Sequence, residues 1–343
     1  MQEMNYFEMA MSALAGLVLF IYGVTRLATG LEEISGDSMR KFVSKFTTNR
    51  FIGLLTGTGA TVALESSSVT IIMVIAMVSA GVLSFVQSLG VVLGANIGTT
   101  IGAQLISLKL NLYAPLLMLS GVLLHFLGKN QFRKNLGMVL LGFGLLFFGL
   151  DVIDEAMSPF RNNKTFLAWM ERLGDQVVLG ALVGAAFTVL IQSSSATVAI
   201  VITMAGSGLI TLPTGIALML GAEVGTCADT LVATIGRSRA ALRTGVFHFL
   251  FNLSSAIVGI IFARQLAELA VASSGSSGVG RQIANAQLIF NLIGAALVVG
   301  FLPLIARILE KLIPDKQSEL QQQQFDKQPD TETVLPTNFA TVE

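Results

Sequence analysis

The chain has 343 residues, 53% of them hydrophobic and only 12% charged, with a mean hydropathy of +0.75. Soluble domains carry about a quarter charged residues, so this composition excludes an ordinary water-soluble domain and points to a bilayer. A formal net charge of zero excludes the electrostatics of a nucleic-acid binder, and a single cysteine, Cys227, excludes an intrachain disulfide.

The first segment, MQEMNYFEMAMSALAGLVLF, has acidic flanks where a secretory signal carries basic ones, so it reads as a retained helix. Apolar runs then follow in order: 7–29, 51–83, 85–107, 112–128, 138–153, 177–211, 213–234, 241–263 and 283–305. A spanning helix needs about 20 predominantly apolar residues, so the pattern is that of an all-α polytopic membrane protein. Two runs are too long for one simple crossing and are interrupted by polar residues, ESSS at 65–68 and QSSS at 192–195. After 313 the apolar periodicity stops, and residues 314–343 read as a disordered cytoplasmic tail.

The interrupted runs are copies of each other. GLLTGTGATVALESSSVTIIMVIAM (53–77) aligns without a gap on GALVGAAFTVLIQSSSATVAIVITM (180–204), at a shift of 127 residues. The register carries on to GANIGT (94–99) over GAEVGT (221–226), and LFIYG (19–23) resembles LLFFG (145–149). This divides the chain into a first transmembrane repeat (1–135), a second (136–264), an additional C-terminal transmembrane helix (265–313) and the tail. Paired repeats with broken helices point to a secondary-transporter site near the midplane. Ser and Gly let a helix break there, and the freed backbone groups line a protected cavity instead of facing lipid.

Charge sets the expected topology. The loop 235–243 carries Arg237, Arg239 and Arg243, whereas its counterpart around 108–111 carries only Lys109. Inverted repeats put these loops on opposite sides, with the basic one in the cytoplasm. Each Ser-rich run then enters and returns as a re-entrant hairpin, leaving seven full crossings, the N-terminus outside and the C-terminus inside. Nine crossings with parallel repeats is the alternative, and it accounts less well for the broken helices. The expected location is the cell inner (plasma) membrane.

Across 51–107 there is no Lys or Arg and only Glu65 is acidic; across 177–236 the charges are Glu223 and Asp229 alone. A substrate anion would therefore rely on helix N-termini and hydroxyl donors, with bound cations as countercharge. Sodium suits carbonyl, hydroxyl, amide and carboxylate oxygens, and each ion lowers the cost of the other's entry into a low-dielectric site.

The duplicated pair QSSSA (192–196) and GAxxGT resembles the type II sodium–phosphate cotransporter family in its short bacterial form. HFLFN (248–252) and NAQLIFN (285–291) are similar to its recurring Asn-Phe helices. The resemblance spans about 10–305 and implies sodium-coupled movement of inorganic phosphate, with no organic cofactor. By position it implies substrate binding by Ser66, Ser67, Ser68, Gln192, Ser193, Ser194, Ser195, Asn96 and Thr99. Coupling falls to Glu65, Glu223, Thr100, Thr226 and Asp229, with a sodium site drawn from Glu65, Ser68, Gln192, Ser195, Asn96 and Glu223. Many bacterial members carry a PhoU-like domain after the membrane part; here a short tail stands instead, leaving a separate PhoU-like regulator and a homo-oligomer as open options.

Two positions depart from the family. Glu65 stands where it has Gln, and Glu223 where it has Asn, so a proton-coupled or other-substrate transporter (a different oxyanion, or a cation) is the alternative. A lipid-phosphate hydrolase fails because no His–Asp arrangement accompanies either serine motif to activate a nucleophile. The bland reading of the serines is close helix packing, which two motifs in one register make the weaker account. Asp229 reads as an ion ligand or a helix-end cap, His248 as a packing histidine, and Asn252 and Asn291 as interhelical hydrogen bonders. Arg161, Lys164, Arg172 and Lys129 read as solvated loop charges.

Overall fold

A computed structural model describes residues 6–108 and 110–315. Lys109 and most of the predicted disordered tail (316–343) lie outside the described residues. Within them every regular element is helical: α1 (Tyr6–Phe46), α2 (Arg50–Leu64), α3 (Ser67–Ser79), α4 (Phe85–Ile106), α5 (Ala114–Leu127), α6 (Gln131–Met157), α7 (Lys164–Asp175) and α8 (Val177–Ile191). There follow α9 (Ser194–Gly206), α10 (Leu212–Gly225), α11 (Cys227–Val232), α12 (Arg239–Ile261), α13 (Ala263–Ser274), α14 (Val279–Val299) and α15 (Leu302–Leu312).

Seven segments are long and apolar enough to cross a bilayer: α1, α4, 110–127, 131–162, 212–232, α12 and α14. They fall on seven of the nine predicted runs. The other two runs each break into a pair of short helices, α2 with α3 and α8 with α9, of 13 to 15 residues each. At 1.5 Å per residue such a helix spans roughly 20 Å, short of a hydrocarbon core of about 30 Å. A bend of 104° separates α7 from α8, so the amphipathic α7 does not lengthen that run into a straight span.

Glycine contacts give the direction of each element. Gly90 of α4 sits on Arg50 of α2, Gly94 on Leu54, and Gly98 on Thr58 and Thr61, so α2 and α4 run parallel. α3 joins the end of one to the start of the other, and therefore returns to the side from which α2 set out. The second repeat does the same: Gly221 of α10 meets Ala181 of α8, and Gly225 meets Ala185 and Thr188. Between α1 and α6 the register runs the other way. Gly16 packs on Gly149 and Ile153, Gly23 on Gly142 and Leu146, and Gly30 on Asn135 and Val139. The two helices matched by LFIYG and LLFFG are thus antiparallel.

Polar contacts tie the remaining helices. Ser88 of α4 and Thr244 of α12 share a hydrogen bond of 3.0 Å, and buried His248 meets the Thr230 hydroxyl at 2.9 Å. Asn252 donates to the Cys227 sulfur at 3.3 Å, the interhelical bond its sequence context suggests, whereas His248, read as a packing histidine, is buried and meets a side-chain hydroxyl. Two expectations change. The first helix continues from its apolar part to Phe46, carrying Glu32, Glu33, Asp37 and Arg40. Arg243 is not a loop charge, because it lies inside α12, 4% exposed, and pairs with Asp315 and the Ile313 carbonyl.

The turn after each broken pair uses a left-handed glycine, Gly81 at φ +72° and Gly208 at φ +80°, with open space where a Cβ would stand. Gly208→Ala therefore meets backbone strain alone, about 1–2 kcal/mol. Its thermal midpoint in detergent should fall by a few degrees with transport retained; an unchanged midpoint would show that the turn relaxes at no cost.

Candidate functional site

Each broken pair turns on a residue other than glycine in the left-handed region: Glu65 at φ 50°, ψ 26° and Gln192 at φ 60°, ψ 27°. Among the described residues these are the only non-glycine residues with positive φ. Such backbone costs of order 1–3 kcal/mol and collects at binding sites. The next serine re-starts a helix. Ser66 Oγ accepts from the Val69 amide and Ser193 Oγ from the Ala196 amide, both at 3.2 Å, so the first serine of each motif is an N-cap. A threonine relay braces each turn: Thr61 donates to Thr70 at 3.0 Å, and Thr188 to Thr197 at 2.8 Å. Ser67 and Ser68, like Ser194 and Ser195, occupy the first two helical positions, where amides have no intrahelical acceptor.

The two motifs meet. Glu65, Ser66, Ser67, Ser68, Gln192, Ser193, Ser194 and Ser195 line one cavity of about 280 Å3, closed by Thr226 and a face of α1. Thr226 Oγ1 stands 3.4 Å from Ser68 Oγ, a contact between repeats. Two helix N-termini and the hydroxyls supply partial positive charge, Glu65 and Glu32 supply carboxyl oxygens, and among the described residues no Lys or Arg lines the space.

The α1 face was not anticipated. Thr25, Thr29 and Glu32 recur at helical spacing on one side of that helix and all line the cavity; their i, i+4, i+7 pattern is the signal by which they could have been found. Glu32 also lines a neighbouring cavity of about 550 Å3 with Glu33, Asp37, Arg40 and Arg237, so the two cavities share that side chain.

Other nominated residues stand apart. Asn96, Thr99, Thr100 and Glu223 are buried in α4 and α10 and do not line this cavity. Thr99 and Thr100 donate to carbonyls of their own helix, Ala95 and Ile97. Glu223, 1% exposed, accepts from Gln287 Nε2 at 2.7 Å and Asn291 Nδ2 at 3.3 Å, which ties α10 to α14. Its repeat counterpart Asn96 has a buried Nδ2 without a partner. Asp229 lies within the first turn of α11, close behind Thr226 in the chain, and accepts from the Thr230 amide at 2.6 Å; it does not cap that helix, whose N-cap position is Thr226.

Glu65 and Asp229 answer each other across the repeats. Position 102 pairs with 229 and position 65 with 192. Where the second repeat has Gln192 and Asp229, the first has Glu65 and Gly102. A Cβ added to Gly102 would stand 2.7 Å from Glu65 Oε2, so the Glu65 carboxylate fills the space beside that glycine. Each half thus presents one carboxylate. Among the described residues no group of three His, Cys, Asp or Glu side chains is arranged to hold a metal ion.

A family model described as Na+/Pi-cotransporter matches residues 19–155 and 159–299. The Bacillus subtilis protein YqeW is 28% identical over 300 residues, 88% of this chain and 97% of that one. "Putative inorganic phosphate export protein YjbB" of Salmonella typhimurium is 28% identical over 332 residues, 95% of this chain; this chain spans 61% of its length. "Sodium-dependent phosphate transport protein 2B" of Homo sapiens is 29% identical over 144 residues, 37% of this chain and 20% of that protein. No solved structure matches the chain.

Proposed function

The chain belongs to the Na+/Pi-cotransporter family, and from that premise we propose that it is a sodium-coupled secondary transporter of inorganic phosphate in the plasma membrane. The proposed mechanism is alternating access between two inverted repeats, with substrate held between the serine motifs. The observation that carries this reading is the cavity lining: two helix N-termini with their serines, two carboxylates, and no cationic side chain. Such a site favours an anion and a small hard cation together over either alone. The helix ends and hydroxyls meet the anion, the carboxylates meet the cation, and the two ions screen each other in a low-dielectric space.

The inverted arrangement is supported by the antiparallel register of α1 and α6 beside the parallel register within each repeat. In this reading the Arg237 end is cytoplasmic, by the Lys and Arg of its loops irrespective of the acidic residues beside them, and the serine cavity is reached from that side, where the neighbouring cavity shares Glu32 with it. Thr226, Glu65 and Asp229 are the coupling residues nearest the serines. Asn96, Thr99, Thr100 and Glu223 would join them only as the repeats move.

The test is labelled-phosphate flux in proteoliposomes of the full chain, with sodium or potassium outside and with or without a pH gradient. Flux that needs sodium is expected. Flux that survives without sodium and collapses with the pH gradient would replace sodium by protons while keeping the site. No phosphate flux under any gradient, from folded protein, would overturn the substrate. Glu65→Gln keeps the hydrogen-bonding shape and restores the family residue. Phosphate flux should persist with a sodium or pH dependence shifted by about tenfold, the scale of one weakened charge–ion contact; unchanged dependence would remove Glu65 from coupling.

A further inference from the structure

At the end of the molecule remote from Arg237 lies a larger cavity, of about 710 Å3. α9 begins at the serine cavity, and its last turn, with Thr203 and Gly206, reaches this second space. The antiparallel α1–α6 pair places the two mouths at opposite ends: Glu32 to Arg40 of α1 line one, and Phe147 to Asp154 of α6 the other. The mouths differ in charge. Glu32, Glu33 and Asp37 outnumber Arg40 and Arg237 at the first, whereas Arg161 and Arg281 outnumber Asp154 at the second.

Two features of the second cavity favour an oxyanion independently of each other. Arg281 donates to Ser107 Oγ at 3.0 Å and to the Gln104 carbonyl at 3.5 Å, but no carboxylate pairs with it among the described residues. Its guanidinium keeps donors for a planar, bidentate acceptor. The N-terminus of α14, a 21-residue helix, opens on the same space without a side-chain cap, and the Cβ position of Gly278 meets nothing within 4 Å. The Val279 and Gly280 amides, ahead of the Arg281 amide that donates to the Gly278 carbonyl at 3.0 Å, have no acceptor in their own helix and can serve an anion. Arg161 also lines the cavity, held by Asp154 at 2.8 Å; it was read from sequence as a solvated loop charge.

Asp154 supplies selectivity. Its carboxylate accepts hydrogen bonds and donates none, so it repels a fully ionised tetrahedral anion and tolerates one that still carries a proton. Hydrogen phosphate does; sulfate does not.

We propose that this cavity is a second oxyanion site, for a protonated phosphate group, that works without sodium because its countercharge is built from Arg281, Arg161 and the α14 N-terminus. Within the transport reading it collects phosphate at the mouth opposite the serine cavity, but its chemistry does not depend on that reading. The ligand is inorganic phosphate or the headgroup of an anionic lipid.

The experiment is equilibrium binding of labelled inorganic phosphate to the purified full chain, in sodium chloride and in choline chloride. A component that persists in choline is expected. Arg281→Gln should weaken it at least tenfold, Arg281→Lys should restore only part of that loss because a point charge replaces the bidentate fork, and sulfate should compete at least tenfold less well than phosphate. Where Arg281→Gln does not fold, Asp154→Asn decides, since sulfate should then compete as well as phosphate. Repeating the measurement in nanodiscs separates the ligands. If phosphatidic acid suppresses the choline component and Arg281→Gln releases bound lipid, the headgroup is the ligand; indifference to lipid assigns free phosphate. A choline component unaltered in folded Arg281→Gln, or no such component together with no Arg281-dependent lipid, would overturn the proposal. Loss of only the sodium-dependent component in Ser194→Ala concerns the serine cavity and leaves this site standing.

Discussion

Gly94→Val and Gly221→Val should each abolish folded protein, with a destabilisation of about 4 kcal/mol or more, the exceptional tail of point-mutant effects. A Cβ at Gly94 would run into the Leu54 carbonyl oxygen of α2 and come within 2.7 Å of the Thr58 amide nitrogen. At Gly221 it would run into the Ala181 carbonyl of α8. Both obstacles are backbone in the middle of a helix, so no rotamer change relieves them, and the helices must part. Membrane helices gain no hydrophobic drive from pairing in lipid; close backbone packing is what holds them. Parting α4 from α2 also frees the hairpin that carries Glu65 and the first serine motif. Gly59 of the same α2 is the control. It is exposed, and its Cβ would meet nothing nearer than the Phe42 ring at 3.9 Å. Gly59→Ala should therefore be neutral or stabilise the helix by up to about 1 kcal/mol. Size-exclusion profile and thermal midpoint in detergent decide the matter, and a monodisperse Gly94→Val protein with a native midpoint would refute the packing account.

Ser194→Ala and Ser67→Ala should lower apparent phosphate affinity by roughly 10- to 150-fold, the worth of one hydrogen bond to a charged group at about 1.5–3 kcal/mol. These serines occupy the first helical position of α9 and α3, are 4% and 5% exposed, and line the same cavity. Their neighbours supply the contrast. Ser193 and Ser66 spend their hydroxyls on capping the helices, so Ser193→Ala should cost about 1 kcal/mol of stability and act on affinity only through a looser turn. The pair of readouts separates ligand from scaffold: Ser194→Ala changes affinity at a native midpoint, and Ser193→Ala moves the midpoint. Native affinity and rate in Ser194→Ala would take that hydroxyl out of the site.

Much of this was legible in the residues alone. Long apolar runs, the shift of 127 residues and the doubled serine motif required an all-helical membrane protein with two related halves, because hydropathy and periodicity are local properties. The same copy-to-copy match placed the breaks within ESSS and QSSS, through Ser and Gly; the structure puts the left-handed turn on the residue before the serines, Glu65 and Gln192. Which nominated side chains share a space is a matter of packing between distant segments. GANIGT and GAEVGT read as equal partners of the serines, yet Thr226 reaches the cavity while Asn96, Thr99, Thr100 and Glu223 lie buried outside it. Glu223 is engaged by Gln287 and Asn291 of α14, a helix beyond the repeats for which the duplication carried no information.

Local sequence therefore determined what each segment is: a span, a broken pair, a capped helix start, a segment free of positive charge. Only the tertiary structure decided what each segment meets. The α1 face with Thr25, Thr29 and Glu32 closes the serine cavity, Arg243 turns inward to Asp315, and Arg281 faces a cavity in which, among the described residues, no carboxylate pairs with it. The physical reason is that helix formation is settled by groups within a few residues of one another, whereas charge pairing and cavity shape depend on side chains brought together from far apart in the chain.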